Sequence, residues 1–322
     1  MRLSALVVAV ALLGSAHASE NRYPAVPPAP PAPAAPPTPY LVTNTVIETG
    51  VTRELRERRA LNAQAQLSVR NVAGVIEVEG WDKSEMELTG VLGESADKLD
   101  ISGNADALKI EVKLRKGNRH YSDGETLLKL RVPQGVALTL DGTSADLVAS
   151  GIKGPVVART VSGDVRLAVT AKQVTAQTVS GDLELAVPAA KEVKLNTVSG
   201  DVRVEGASGV LLAESVSGDV QIEGGVFSQL DLKSVSGDVA VEAGYTPDAK
   251  VKAESLSGDV RLNAPASLSA KVTMKTFSGD KHCFFDGATE AGDGKRLVKT
   301  IGAGQGQFTL TSFSGDVMLD KQ

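Results

Sequence analysis

The tripeptide Ser-Gly-Asp recurs eight times in the second half of this 322-residue chain. The intervals between successive serines are 18, 19, 18, 19, 21, 21 and 36 residues, and the last equals two intervals of 18, as though one marker had been lost. The eight serines are Ser162, Ser180, Ser199, Ser217, Ser236, Ser257, Ser278 and Ser314. A degenerate copy, Ser144-Ala145-Asp146, lies 18 residues before the first. A repeat period near 20 residues predicts an architecture of stacked repeats.

The residues on both sides of each marker alternate between apolar and polar. With the serine as position 0, positions −6, −4, +3 and +5 are apolar in nearly every copy, as in Val156, Ala158, Val165 and Leu167 of the first. Position −2 is always Thr or Ser, and position −1 is always Val, Leu or Phe. A period of two is typical of a β-strand with one buried face. Each repeat is therefore predicted to run strand, corner, strand, loop.

The marker itself is predicted to be the corner of each coil. Glycine suits a corner because a side chain would penalise the backbone angles that a sharp turn requires. Serine and aspartate suit it because they accept hydrogen bonds from neighbouring backbone N–H groups. The predicted structural corners are Gly163, Gly181, Gly200, Gly218, Gly237, Gly258, Gly279 and Gly315.

A single coil cannot offset the entropy lost on ordering its backbone, so the coils must stack. The predicted fold class is all-β, a parallel β-solenoid (β-helix) of two-strand coils, each 18–21 residues long. We favour the right-handed form and leave the handedness open. A left-handed hexapeptide helix also has 18-residue coils, but its apolar residue every six positions fails at Gln173. The aromatic content of 3% predicts a thin core without room for rings.

Both ends of a solenoid need caps, because an open end is an exposed sheet edge. Residues 41–140 are predicted to form an N-terminal β region and cap, and residues 141–322 the repeat solenoid. We interpret the charge run Thr52–Arg59 as a solvated segment and Asp286–Lys295 as a protruding loop. The predicted C-terminal cap is rich in phenylalanine, and its rings are Phe277, Phe284, Phe285, Phe308 and Phe313.

The N-terminal sequence has the features of an export signal. Arg2 precedes a short apolar run, and Ala16-His17-Ala18 has the pattern of a signal-peptidase site, so residues 1–18 are predicted to be a cleaved signal peptide. Residues 19–40 are rich in proline and alanine and are predicted to form an extended tether. The predicted location is outside the cytoplasm, with the periplasm favoured over the outer surface or the medium. No later segment is apolar for long enough to span a membrane.

Composition excludes several functional classes. One Cys and three His cannot supply a disulfide framework, a zinc module, a haem site or an iron–sulfur cluster, and we expect no cofactor. The net charge of −5 argues against nucleic-acid binding. His282 and Cys283 are adjacent and are expected on opposite faces of a strand. A Ser-His-Asp site using His120 or His282 lacks support, and we predict that the chain is not an enzyme.

The aspartates of the markers are expected to form one column in the stack. Three roles are open: acceptors of backbone hydrogen bonds, which we favour, ligands of Ca²⁺, or a recognition strip for sugars or a protein. One carboxylate per coil falls short of the six to eight oxygen ligands that Ca²⁺ takes, so no metal site is assigned. The cation-column residues would be Asp164, Asp182, Asp201, Asp219, Asp238 and Asp259.

The segment Asn71–Asp82, the step Val132-Pro133-Gln134-Gly135 and the serial Ser-Gly-Asp-Val markers resemble the bacterial "putative adhesin" family of exported β-solenoid domains of unknown function. The resemblance covers Leu61 to Leu319. It implies a location at the cell envelope and supplies no catalytic residue. We therefore expect a non-enzymatic envelope scaffold or adhesin-like interaction surface. Its partner is unknown, and an envelope protein or a glycan would suit it. The alternatives are a carbohydrate-active β-helix enzyme and a Ca²⁺-dependent binding module.

Overall fold

The computed structural model describes residues 45–49, 52–115, 125–292 and 294–322. Every regular element there is a β-strand, and the predicted all-β class is confirmed. The predicted signal peptide at 1–18, the tether at 19–40 and His120 lie outside the described residues. Within the described part of the chain, no helix is long and apolar enough to cross a membrane.

The strands fall into an N-terminal group, a repeat group and a C-terminal group. The N-terminal group is β1 Thr45–Thr49, β2 Thr52–Ala60, β3 Gln66–Trp81, β4 Glu85–Leu92, β5 Ala96–Gly103, β6 Ala107–Leu114, β7 Thr126–Pro133 and β8 Ala137–Ser150. The repeat group is β9 Val156–Arg159, β10 Val165–Ala168, β11 Gln173–Gln177, β12 Leu183–Ala186, β13 Glu192–Asn196, β14 Val202–Glu205, β15 Gly209–Ser217, β16 Val220–Ser236, β17 Val239–Ser257 and β18 Val260–Ala264. The C-terminal group is β19 Ala270–Ser278, β20 Lys281–Cys283, β21 Ala288–Gly292, β22 Arg296–Ile301, β23 Gly306–Ser314 and β24 Val317–Lys321.

In the repeat group, each coil adds one strand to each of two parallel ladders. The strands before the corners stack as β9, β11, β13 and β15, and the strands after the corners stack as β10, β12 and β14. The longer β16 and β17 continue both ladders. The corners fall in register, since Ser162, Ser180, Ser199 and Ser217 pair in succession. The predicted parallel β-solenoid is therefore confirmed, and its handedness stays a prediction.

The coils at the C-terminal end do not stack in chain order. The last coil, β23 and β24, lies between β17 and β18 on one side and β19 and β20 on the other. The 36-residue interval therefore hides no lost coil, contrary to the sequence interpretation. It holds β21 and β22, which form an antiparallel pair, and β22 pairs with the outer edge of β19. The predicted protruding loop at Asp286–Lys295 is also wrong in part, because it contains the strand β21.

The N-terminal end shows the same inversion of order. Strand β3 lies between β8 and the later pair β6 and β7, and the antiparallel strands β4 and β5 cover β7 and β6. The charge run Thr52–Arg59 is not a solvated segment, because it forms most of β2, which pairs with β4. Its alternation turns Leu55 and Glu57 inward, where both are buried, while its other charged side chains are more exposed.

The core consists of the alternating aliphatic columns, which are almost completely buried. The prediction that rings find no room is wrong, since Phe227 and Phe308 are the largest fully buried side chains among the described residues. Tyr245 meets Phe308 edge to face with 4.9 Å between ring centroids. The phenylalanine cap is only partly formed: Phe285 is buried with Phe308, but the other three rings are exposed.

Candidate functional site

The glycine corners lie where stacked backbones approach most closely. Gly200 has a φ of +143°, a conformation that a side chain disfavours. A Cβ on Gly200 would lie well inside contact distance of the Gly181 carbonyl oxygen in the preceding coil. The same relation holds between Gly218 and Gly200 and between Gly237 and Gly218. Any side chain at these corners would therefore both strain its own backbone and push two coils apart.

The hydroxyl residues at position −2 lie beneath these corners. All eight are buried, although they are polar, and five donate to the carbonyl of the corner glycine in the neighbouring coil. Among the described residues, the hydroxyls of Thr197 and Ser215 have no hydrogen-bond partner. The Ser255 hydroxyl donates to the Gly237 carbonyl at 2.9 Å, and the Ser312 hydroxyl donates to the Gly258 carbonyl at 2.8 Å. A buried hydroxyl in this position is stabilising because it satisfies a carbonyl that the turn leaves free.

The marker aspartates form a continuous hydrogen-bonded ladder. Except in Asp146, which begins the ladder, the backbone N–H of each aspartate donates to the Oδ1 of the aspartate in the adjacent coil, at 2.8 to 3.0 Å. In stacking order its members are Asp146, Asp164, Asp182, Asp201, Asp219, Asp238, Asp259, Asp316 and Asp280. We call this column the Asp ladder.

The Asp ladder already uses one oxygen of each carboxylate from Asp146 to Asp316 for the backbone. Asp164 also forms an ion pair with Arg166 at 2.8 Å. Among the residues that the structure describes, no group of three or more His, Cys, Asp or Glu side chains is placed to hold a metal ion. The geometry thus accounts for the aspartates through backbone hydrogen bonds, and the Ca²⁺ column gains no support from it.

An exposed apolar column runs beside the Asp ladder. It is formed by the residues at position −1, whose exposed fractions lie between 44% and 57%. In stacking order they are Val161, Val179, Val198, Val216, Val235, Leu256, Phe313 and Phe277. We call this column the apolar ladder. Eight coils at roughly 4.8 Å per step give it a length of about 34 Å.

The apolar ladder ends in an aromatic pair. Phe313 and Phe277 stack with 4.9 Å between centroids and an interplanar angle of 2°. The Lys295 ammonium group lies 3.8 Å from the centroid of the Phe277 ring. These rings meet because the C-terminal coil is inserted beside β19, which brings together two residues that are 36 positions apart in the chain.

The sequence shows that position −1 is always apolar, but the sequence prediction did not place these residues on a surface. The signal was present, because the alternation that buries −6, −4 and −2 turns −1 outward. An outward position that is Val, Leu or Phe in every copy is an inverted pattern, with the polar residue inside and the apolar residue outside.

His120 lies outside the described residues, and the other residues weighed for catalysis, His282 and Cys283, are not placed in a shared site. His282 is exposed and Cys283 is half-buried against the core, on a strand of three residues. The His282 ring stacks near Phe284, with 6.2 Å between ring centroids. Burial raises the pKa of the Tyr245 hydroxyl, which has no hydrogen-bond partner in the described part of the chain.

Solved structures that are similar to this chain include the following three. A "putative cell adhesion protein" from Clostridium sporogenes ATCC 15579 is 8% identical over 84% of this chain and 100% of that chain, with a TM-score of 0.23. A "putative lipid binding protein" from Parabacteroides distasonis ATCC 8503 is 15% identical over 84% of this chain and 96% of that chain, with a TM-score of 0.34. A "putative adhesin" from Parabacteroides merdae ATCC 43184 is 11% identical over 84% and 96%, with a TM-score of 0.29.

No curated protein matches the chain. The Toastrack DUF4097 family model matches residues 65–320, which include both ends of the solenoid and every Ser-Gly-Asp marker. The chain therefore belongs to the Toastrack DUF4097 family.

Proposed function

We propose that this protein is an exported, non-enzymatic scaffold of the cell envelope and that the apolar ladder is its interaction surface. The observation that carries the proposal is the exposure of eight consecutive apolar side chains, each close to half exposed, on one line of the solenoid. Contiguous apolar surface of this kind marks sites of interaction with other molecules. The proposal of export depends on the signal-peptide pattern in residues 1–18. The proposed compartment is the periplasm.

The hydrogen bonds of the corner do not require an apolar residue at position −1. The hydrogen bonds that hold it come from position −2, the glycine and the aspartate. A Thr at −1 has nearly the shape of Val and would be better hydrated in the exposed half of the side chain. The repeated Val is therefore best explained by a partner that covers it.

The Asp ladder adds a second requirement on the partner. Its carboxylates lie three residues after the apolar side chains, so a line of negative charge accompanies the apolar line. A partner with an apolar strip flanked by Lys or Arg would complement both. Such a partner is an envelope protein in this proposal, because aliphatic side chains offer a glycan no hydrogen bonds.

The test compares three forms of the purified protein for saturable binding to envelope fractions. The ladder variant is V179T/V198T/V216T. The control variant is V148T/V157T/V226T, which makes the same change at outward or exposed valines elsewhere. We expect the wild type and the control to bind equally and the ladder variant to bind at least about tenfold more weakly.

Two further arms address the alternatives. Release of reducing ends from envelope polysaccharides would support a carbohydrate-active enzyme, and loss of binding in EDTA would support a Ca²⁺-dependent module. Equal binding by the ladder variant and the wild type would remove the apolar ladder as the interaction surface.

A further inference from the structure

Three lysines line a groove at the edge where each coil leaves its second strand and enters the next coil. Lys153, Lys172 and Lys191 belong to three successive coils, and the groove that they line has a volume of about 580 Å³. Its wall is completed by the apolar Pro155 and Val210. A volume of this size is typical of a small-molecule or oligomer binding site.

The stacked backbone fixes the spacing of these lysines. The Lys191 N–H donates to the Lys172 carbonyl at 2.9 Å, and the Val210 N–H donates to the Lys191 carbonyl at 2.9 Å. The Lys153 N–H is held by the Gln134 carbonyl at 2.6 Å. The side chains of Lys172 and Lys191 therefore start one coil apart, at roughly 4.8 Å. Lys153 lies in the preceding coil and is one residue out of register with Lys172.

The positive charge of the groove is not neutralised. In the described residues, none of the three lysines has an ion-pair partner. The acidic side chain that lines the groove, Glu192, is already occupied by Lys194 at 2.6 Å. That ion pair, together with a hydrogen bond from Gln173, lowers the pKa of Glu192.

We infer that this groove binds a linear acidic polysaccharide, with the lysines contacting carboxylates on successive sugars. A row of unpaired cations favours a chain with regularly repeated anions over a single anion. The Pro155 and Val210 wall gives the apolar face of a sugar ring a surface to lie on. The groove has no aromatic lining on which nucleic-acid bases would stack, which disfavours a single-stranded nucleic acid.

The two edges of the solenoid would act differently on such a ligand. The Asp ladder on the corner edge repels a polyanion, while the lysines on the loop edge attract it. The groove and the apolar ladder are separate surfaces, so this inference does not rest on the proposed function.

The test measures binding of oligogalacturonate by titration calorimetry at two salt concentrations. The groove variant is K153Q/K172Q/K191Q. The control is K98Q/K250Q/K321Q, which removes the same net charge from three exposed and separated positions. Neutral dextran and a single-stranded oligonucleotide of equal charge serve as the other probes.

We expect the groove variant to lose at least about tenfold in affinity for oligogalacturonate, the control to change less than about twofold, and salt to weaken binding. Dextran should not bind. Equal losses in both variants would overturn the inference, because they would show attraction by net charge alone. Tighter groove-dependent binding of the oligonucleotide would overturn it in favour of a nucleic-acid site. No binding of oligogalacturonate by the wild type would also overturn it.

Discussion

The middle of the solenoid and its two ends are built from the same coil but joined in different ways. In the middle, each coil stacks on the coil that precedes it in the chain, 18 to 21 residues earlier. At each end one coil is inserted out of order: β3 between β8 and the pair β6 and β7, and β23 with β24 before β19 and β20.

The difference shows that the repeat determines how two coils contact each other, whereas the requirements of the ends determine the chain order in which the coils stack. Any coil with the corner motif can stack on any other, because the contacts are backbone to backbone and alike in each coil. The ends must also cover exposed strand edges, since an unpaired edge is a template for aggregation. Antiparallel strands cover them at both ends: β4 and β5 at one, β22 at the other. Because one coil is inserted out of order, the chain can form the antiparallel strands at the end and then continue the stack.

The largest expected loss of stability comes from substitution of a corner glycine, and it should be larger in the middle of the solenoid than at its end. G200A places a Cβ against the Gly181 carbonyl with coils on both sides, and we expect it to lower the free energy of unfolding by about 3 kcal/mol or more. G279A makes the same contact with Gly315, but in the outermost coil, which has freedom to shift, so its cost should be clearly smaller.

Denaturant unfolding of the two variants measures this difference. G294A is the control, because a Cβ there meets nothing within 4 Å. Equal losses for G200A and G279A would show that the ends are as rigid as the middle.

A smaller effect is expected from the Asp ladder. D201A removes the acceptor of the Asp219 N–H and should cost about 1–2 kcal/mol in unfolding free energy. Asp280 ends the ladder, and in the described part of the chain no N–H donates to its carboxylate, so D280A should change stability by less than about 0.5 kcal/mol. D201N keeps an acceptor oxygen and should recover most of the loss. If D201A were as stable as the wild type, the aspartates would need another explanation.

The smallest effect is a pH dependence confined to the N-terminal end. Hydrogen bonds from Lys109 and Lys113, each with N···O distances of 2.8 Å, lower the pKa of Glu111 to about 2. Because the folded pKa lies below the unfolded value of roughly 4.3, the stabilisation is complete above that value and is lost as the pH falls through about 2. At pH 7, E111Q should cost about 1 kcal/mol or less.

The measurement is the difference in unfolding free energy between the wild type and E111Q at pH 7, 4 and 2. The difference should shrink toward zero at pH 2. A difference that stays constant across this range would show that the E111Q effect is not electrostatic.

Much of the fold was predictable because its contacts repeat. The alternation around the markers predicted which residues are buried, and the marker spacing predicted the coil. The charge run was predicted to be solvated because six of its eight residues are charged. It is a strand instead, paired with β1 and β4, and Leu55 and Glu57 lie on its buried face. The rings of Phe277 and Phe313 were predicted to belong to a cap because phenylalanine is usually buried. They are exposed because position −1 faces outward.

The candidate sites also differ in whether the sequence predicts them. The Asp ladder could be predicted, because equivalent aspartates in stacked coils must align. The lysine groove could not, since Lys153 lies nine residues before its marker whereas Lys172 and Lys191 lie eight before theirs, in loops of variable sequence. Only the stacked backbone shows that the three lysines share one groove.

The sequence by itself determined the all-β class, the coil length and the glycine corners, because these depend on contacts that every repeat makes with its neighbour. The tertiary structure alone decided the order of the coils at the ends, the aromatic pair and the lysine groove. The physical reason is that identical coils present nearly identical stacking surfaces, so local pattern fixes how two coils meet. Which coils meet at the ends is decided by the covering of strand edges and by the length of the connecting chain.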